Sequence, residues 1–281
     1  MKTGLVLEGG GVRGIYTAGV LDAFMEHGLT FDGLIGVSAG AIHGCSYLSG
    51  QRGRSLRYYQ KYLRDPRFMS WRSFLTTGNM VGVEFCYHEL PDKLDIYDHE
   101  AFLNNPTPFY AVVTNVDTGE PEYLRIRDMR SEIDSLRASA SLPLVSQLVQ
   151  INGQKYLDGG CTDAIPVDAF QEMGYTRNVV VLTRPGDYVD PPVDLRLPKL
   201  LYRKYPNFIQ ALSRRHIRYN HTMGRIEELE KAGEIFVIRP QAILPLGRVE
   251  RDTEKMEQVY RLGRTDALKA MENLRKWLNQ T

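Results

Sequence analysis

Two kinds of hydrophobic pattern alternate along the chain. Residues 4–8, 31–37, 179–183 (VVVLT) and 235–239 (IFVIR) are short aliphatic runs of the sort that fill a buried sheet. Residues 14–27, 39–48 and 253–279 instead repeat apolar side chains at helical spacing. In the first of these the apolar positions are Ile15, Ala18, Val20, Leu21 and Phe24; the last carries a stripe from Met256 through Tyr260 and Met271 to Trp277. Residues 110–114 and 122–126 read as strands paired across the turn Asp117-Thr118-Gly119, and QINGQKYLDGG at 150–160 reads as a second hairpin. The basic, aromatic stretch 52–75 is expected to be helical in parts, broken at Pro66. Helices alternating with apolar strands predict an α/β fold, a mainly parallel central sheet flanked by helices. A less regular helical region is expected after about residue 185.

Composition changes this picture little. Hydrophobic residues make up 43% of the 281 and charged residues 25%, and no linker-like tract, repeat or low-complexity segment divides them, so one large domain is expected. A net charge of +1 supplies no field for nucleic acid, which is excluded as a partner class. Cys45, Cys86 and Cys161 are widely spaced without C-x-x-C, which excludes a disulfide framework and a thiolate zinc site and suits a reducing cytosol. No spacing for a metal or organic cofactor is present. Met1-Lys2-Thr3 leads directly into a strand, with no signal peptide expected. No run approaches the ~18 apolar residues of a membrane span. The expected location is cytoplasmic, with any membrane contact peripheral.

The chemistry begins at LVLEGGGVRGIYTAGVLDAF, residues 5–24, where Gly9, Gly11 and Gly14 satisfy G-x-G-x-x-G between a strand and a helix. Such a loop cradles anions, and alone it suggests a dinucleotide. That reading needs an acidic residue at the far end of the second strand to hold the ribose. Asp32 lies before that strand's apolar core, and the far end reads Val37-Ser38-Ala39-Gly40. No G-K-[ST] follows the glycines, so a nucleoside-triphosphate loop fails as well.

Gly36-Val37-Ser38-Ala39-Gly40 is a G-x-S-x-G pentapeptide between a strand and a helix, the setting of a nucleophile elbow. The plainer alternative is an ordinary serine capping the helix. A nucleophilic serine needs a base. His27, His43, His88, His99, His216 and His221 each read as surface or helix histidines with no strand end or tight turn to present them. Asp158, ending a strand before Gly159 and Gly160, is better placed; Asp163 and Asp168 are alternatives without glycine support, and Asp-Gly-Gly also occurs as a plain turn.

Taken with the stretch Ala138-Ser139-Ala140-Ser141-Leu142-Pro143 and the trailing Ile165-Pro166-Val167, these motifs make the chain resemble the patatin-like phospholipases, serine lipid acyl hydrolases, over roughly residues 4–185. The resemblance implies a patatin-like catalytic core over 1–185, completed by an elaboration over 186–281. It implies a Ser38–Asp158 dyad and an oxyanion hole in the loop of Gly9, Gly10, Gly11, Arg13 and Gly14, with Arg13 holding the loop or meeting a phosphate. Gly36 and Gly40 would shape the elbow, and Gly159 and Gly160 the dyad loop. The substrate would be a lipid or other ester, and no cofactor would be needed. An aspartate at its ordinary pKa near ~3.9 is a poor base at neutral pH, so Asp158 is expected to be desolvated. A non-catalytic adaptor is the rival reading. Residues 195–226 hold eight Lys or Arg and no Asp or Glu, interleaved with apolar side chains, as in a helix lying on an anionic membrane. Arg214, Arg215 and Arg218 are its expected contacts; a solvated helical face is the plainer account of the same stretch.

Overall fold

The computed structural model describes residues 1–247 and 250–280. In chain order its elements are β1 (Thr3–Leu7), α1 (Ile15–Glu26), β2 (Gly33–Val37), α2 (Ala39–Leu48), α3 (Arg54–Tyr62), α4 (Trp71–Thr77), α5 (His99–Asn104), β3 (Phe109–Asn115) and β4 (Pro121–Ile126). There follow α6 (Ile133–Ser139), β5 (Val149–Ile151), β6 (Gln154–Asp158), α7 (Val167–Glu172), β7 (Arg177–Val181), α8 (Arg196–Leu201), α9 (Pro206–Lys231), β8 (Ile235–Ile238) and α10 (Thr253–Leu278). A short 3-10 turn, Gly11–Gly14, leads into α1, and a wide π-type helix, Phe85–Leu94, lies before α5.

The sheet is mixed. Strands β8, β7, β1, β2 and β3 are parallel neighbours in that order. Antiparallel β4, β6 and β5 extend the β3 side. Period-two alternation sends the side chains of each central strand to opposite faces. Leu5, Leu7, Leu34, Val179 and Val181 pack under α1, α2 and α10, while Val6, Ile35, Val37, Val112 and Val180 pack under α7 and α9. Helices on both faces of the sheet give a three-layer α/β architecture.

The pairings on β3 decide where the chemistry falls. Along one edge, β4 covers β3 from Phe109 to Thr114. The other edge is shared end to end: β2 runs parallel to β3 and finishes with Val37 opposite Val112, and β6 runs antiparallel and finishes with Asp158 opposite Val113. Two strands arriving from opposite directions therefore bring their C-terminal ends to adjacent positions. Ser38 is the next residue after one of them, and Asp158 is the last residue of the other.

Beyond residue 185 the chain forms the strand expected at 235–239 and the helix expected at 253–279, and before them it is more regular than its sequence suggested. It adds β8 to the parallel edge and two helices of 26 residues each. Helix α10 packs along α1, fixed by a hydrogen bond of 2.8 Å from Tyr16 Oη to Asp266 and another from Tyr260 Oη to Asp22. In the 52–75 stretch Pro66 falls in the irregular segment between α3 and α4, as a residue lacking an N–H donor should. The 150–160 hairpin turns at Asn152 and Gly153, both at positive φ.

Candidate active site

Ser38 sits at φ 53° and ψ −119°, a backbone state that a residue with a side chain adopts only where its surroundings enforce it. The flanking glycines are part of that enforcement. A Cβ on Gly40 would lie 2.5 Å from the Leu7 carbonyl oxygen, and one on Gly36 would lie 2.6 Å from the Ala41 nitrogen. Ser38 precedes α2, but its side chain makes no capping hydrogen bond, so its hydroxyl remains available. The helix-capping alternative does not hold. The Ser38 N–H donates to Ser139 Oγ at 2.9 Å, and Ser139 is fully buried at the end of α6.

Asp158 is held by the same segment. Its N–H donates to the Ser141 carbonyl at 2.8 Å, and its own carbonyl accepts from Thr114 Oγ1 at 2.9 Å. Its side chain is 3% exposed, with Oδ1 accepting the Gly160 N–H at 2.7 Å. Oδ2 has no hydrogen-bond partner, although the Ser38 hydroxyl is close enough to the carboxyl to favour its charged form. The Ser38 hydroxyl thus approaches the carboxyl without completing an ordinary hydrogen bond to Oδ2. Burial raises the Asp158 pKa to about 6, against the opposing effects of the Ser38 hydroxyl, the Gly160 N–H and Arg215. Residues 138–143 therefore act as a brace: Ser139 takes one backbone and Ser141 the other. The sequence flagged this stretch but offered no role for its two serines.

The glycine loop stands beside Ser38. Gly11, at φ 54°, turns the chain into the 3-10 turn. The Gly9 N–H is engaged by the Ala164 carbonyl and the Arg13 N–H by the Gly10 carbonyl. Among the described residues no acceptor is found for the N–H groups of Gly10, Gly11 and Val12. The Gly9 N–H thus anchors the loop, and Gly14 is a packing position against Ala39. Glu8, fully buried just before the loop, fixes it from below. It accepts from the N–H and the hydroxyl of Thr183, two residues beyond β7, and, at 2.7 Å, from Tyr219 Oη of α9. Desolvation raises the Glu8 pKa against these hydrogen bonds.

Ser38, Gly11 and Val12 line one part of a cavity of about 320 Å³. Tyr59, Phe68, Met69, Met129, Ile133 and Leu136 supply much of its apolar wall, and the π-type helix lends Cys86, Tyr87 and Leu90. None of these wall residues carried a motif, because they are gathered from several separate segments of the chain. No histidine is hydrogen-bonded to Ser38 or Asp158 among the described residues. His43 is buried behind the elbow on Ser55 Oγ, and burial pushes its pKa down to about 3. His88 and His99 line the cavity, and His216 and His221 lie on α9. Asp163 is tied to Tyr123 Oη at 2.9 Å, and Asp168 faces Arg225.

The basic stretch needs correction. Arg215 is not a free surface cation. It forms an ion pair with Asp190 and donates to the Gly160 carbonyl at 2.8 Å, which braces the loop after Asp158. Arg218 is half-buried, donating to the Ala211 carbonyl at 2.9 Å. Helical periodicity turns both inward with Tyr219, and the acidic partner lies at position 190, outside the window that held no acid. Only Arg214 of the three is exposed.

With this geometry in view, the chain can be placed. Residues 5–170, more than half its length, match the family model described as patatin-like phospholipase, and the chain belongs to that family. Residues 205–279 match a domain of unknown function, DUF6363. The chain is similar to the uncharacterized protein YjjU of Escherichia coli, with 29% identity over 94% of this chain and 75% of that protein. It is also similar to lysophospholipase NTE1 of Cryptococcus neoformans, with 28% identity over 98% of this chain, which spans only 17% of that protein. Among solved structures, VipD of Legionella pneumophila aligns with a TM-score of 0.46 and 13% identity, covering 97% of this chain and 67% of that one.

The burial of Asp158 has a consequence for stability. Its pKa is raised in the folded state, so the charged carboxylate disfavours folding above pH 6, and the penalty vanishes below the unfolded value near ~3.8. Asp158→Asn is expected to raise the melting temperature by roughly a few degrees at pH 8 and to leave it unchanged near pH 4. Calorimetry at the two pH values checks this; equal shifts at both would contradict the desolvated carboxylate.

Proposed function

We propose that the protein is a serine lipid acyl hydrolase, with a Ser38–Asp158 dyad cleaving a carboxylic ester of a phospholipid, a lysophospholipid or a related lipid. The observation that carries this reading is the buried Asp158 with an unpartnered Oδ2, set beside a strained, uncapped Ser38 at the opening of an apolar cavity. Membership of the patatin-like phospholipase family and similarity to fungal lysophospholipases support the same class.

In the reaction, Asp158 takes the Ser38 proton as Oγ attacks the ester carbonyl. The tetrahedral oxyanion is received by the N–H groups of Gly10, Gly11 and Val12, which need no reorganisation to meet it. Asp158 then returns the proton to the departing alkoxide, and the alcohol leaves an acyl-enzyme on Ser38. Water, deprotonated by Asp158, attacks that ester in turn; collapse frees the carboxylic acid and restores the serine. A pKa near 6 suits both duties, since Asp158 is mostly ionised at neutral pH yet is basic enough to accept a proton. The apolar cavity would take the acyl chain.

No helix among the described residues is long and apolar enough to cross a membrane. Contact with a bilayer is assigned instead to α8, which exposes Leu197, Leu200 and Leu201 beside the cations Lys199, Arg203 and Lys204. Changing the three leucines together to serine is expected to lower sedimentation with anionic phosphatidylserine vesicles at least fivefold. Retention of full binding would remove α8 from the interface.

A fluorophosphonate probe tests the hydrolase directly. Labelling is expected on Ser38, absent in Ser38→Ala and slowed at least a hundredfold in Asp158→Asn. Its rate in the wild-type protein should follow ionisation of Asp158, falling about tenfold per pH unit below about 6. Labelling that persists in Ser38→Ala, together with vesicle binding in the absence of any ester cleavage, would favour the adaptor reading.

A further inference from the structure

The cavity beside Ser38 is mostly apolar, yet it carries a polar cluster well away from the dyad. Part of its floor is one face of α2: Ala39, Ile42 and Cys45, three residues apart, all line it. Cys45 lies seven residues beyond Ser38, about 10 Å along the helix. At that depth the wall changes character. Tyr97 Oη donates to the Cys45 carbonyl at 2.8 Å, and the Arg54 guanidinium lies 5.3 Å from the centre of the Tyr97 ring. His99, at the start of α5, stands edge-on to the same ring, 5.0 Å between centroids. Arg54, Tyr97 and His99 all line the cavity.

Arg54 is already paired. It lies 3.4 Å from the Asp95 carboxylate and donates to the Asp95 carbonyl at 3.0 Å, while Arg57 holds both oxygens of the same carboxylate. His99 has no such partner. Both of its ring nitrogens are buried without a hydrogen bond among the described residues, and Asp92 Oδ1, 3.8 Å from Nε2, is too distant to make one. Burial, and then the charge of Arg130, lower the His99 pKa, so the ring is neutral at pH 7. A neutral imidazole has one N–H to donate and one nitrogen to accept. The charges around it balance, with Asp92, Asp95 and Asp128 against Arg54, Arg57 and Arg130. An ion gains little there, and an apolar chain end would leave both nitrogens dry. A hydroxyl, which is neutral and both donates and accepts, matches the ring.

We infer that His99 forms a hydroxyl-binding subsite at the far end of the acyl cavity, about 10 Å along α2 from Ser38. This subsite rests on the hydrolase reading and narrows its substrate to an ester whose acyl chain reaches the level of Cys45 and ends in a hydroxyl. The chain runs over Ala39 and Ile42, and its terminal oxygen meets the imidazole beside Tyr97.

The test compares p-nitrophenyl ω-hydroxydecanoate with p-nitrophenyl decanoate, which has the same chain and no terminal oxygen. The wild-type protein is expected to favour the hydroxy ester about tenfold in kcat/KM, mainly through KM. His99→Phe keeps a ring against Tyr97 and removes both nitrogens, and should bring the ratio close to one. Ile42→Trp, which obstructs the floor, should disfavour both decanoyl esters against p-nitrophenyl acetate. With both esters cleaved, a wild-type ratio near one, or a preference unmoved by His99→Phe, would overturn the subsite and leave the hydrolase reading intact. Stronger selection of the mono-p-nitrophenyl ester of decanedioic acid would also overturn it, by showing an anion site. If neither ester is cleaved, equilibrium titration of the same two esters decides. Tighter binding of the hydroxy ester, lost in His99→Phe, keeps the subsite and removes the hydrolase; equal binding removes both.

Discussion

One edge of β3 governs the site. Because β2 and β6 share that edge from opposite directions, their ends stop at neighbouring ladder positions, Val112 and Val113. Backbone hydrogen bonding thus brings together two residues 120 positions apart, Ser38 and Asp158, before any side chain contributes. The meeting point is then locked by the end of α6 and the residues that follow it, where Ser139 and Ser141 take one N–H from each strand end. A ladder is a stiff support, and a side-chain pair set on strand ends inherits its precision.

The same convergence dictates the electrostatics. A carboxylate at the inner end of β6 is 3% exposed, and one of its oxygens has nothing to bond. Water is withheld from a group that needs it, which is the condition for a basic aspartate. Neighbouring positions balance the cost: Arg215 holds the loop behind Asp158 through the Gly160 carbonyl, and Glu8 ties the glycine loop to β7 and α9. The DUF6363 region thereby reaches the site through Arg215 and Tyr219. Its α10 packs on α1, the helix that follows the glycine loop.

Much of this was legible from the sequence because its signals are local. Strand, glycine and helix around Ser38, and a hairpin ending in Asp-Gly-Gly, each announce a chain that must turn sharply at one residue. The helix-cap alternative for Ser38 was separable only by its φ and its unused hydroxyl. What stayed hidden is long-range. Arg215 looked like a membrane contact because its counter-ion, Asp190, comes from another segment. Which N–H groups of the glycine loop are engaged depended on Ala164, which takes the Gly9 N–H from across the fold. The apolar cavity beside Ser38 is assembled from several elements, among them a π-type helix containing Pro91, which no helical periodicity would suggest.

The account stands on a desolvated Asp158 facing the Ser38 hydroxyl, and its ionisation can be read directly. A 13C NMR titration of aspartate-labelled protein, with the Asp158 resonance assigned by its loss in Asp158→Asn, should show a midpoint near pH 6. The midpoint should rise further in Ser38→Ala, because the hydroxyl that favours the charged carboxylate is then gone. A midpoint near the ordinary ~3.9, unmoved by removal of the serine hydroxyl, would contradict the account.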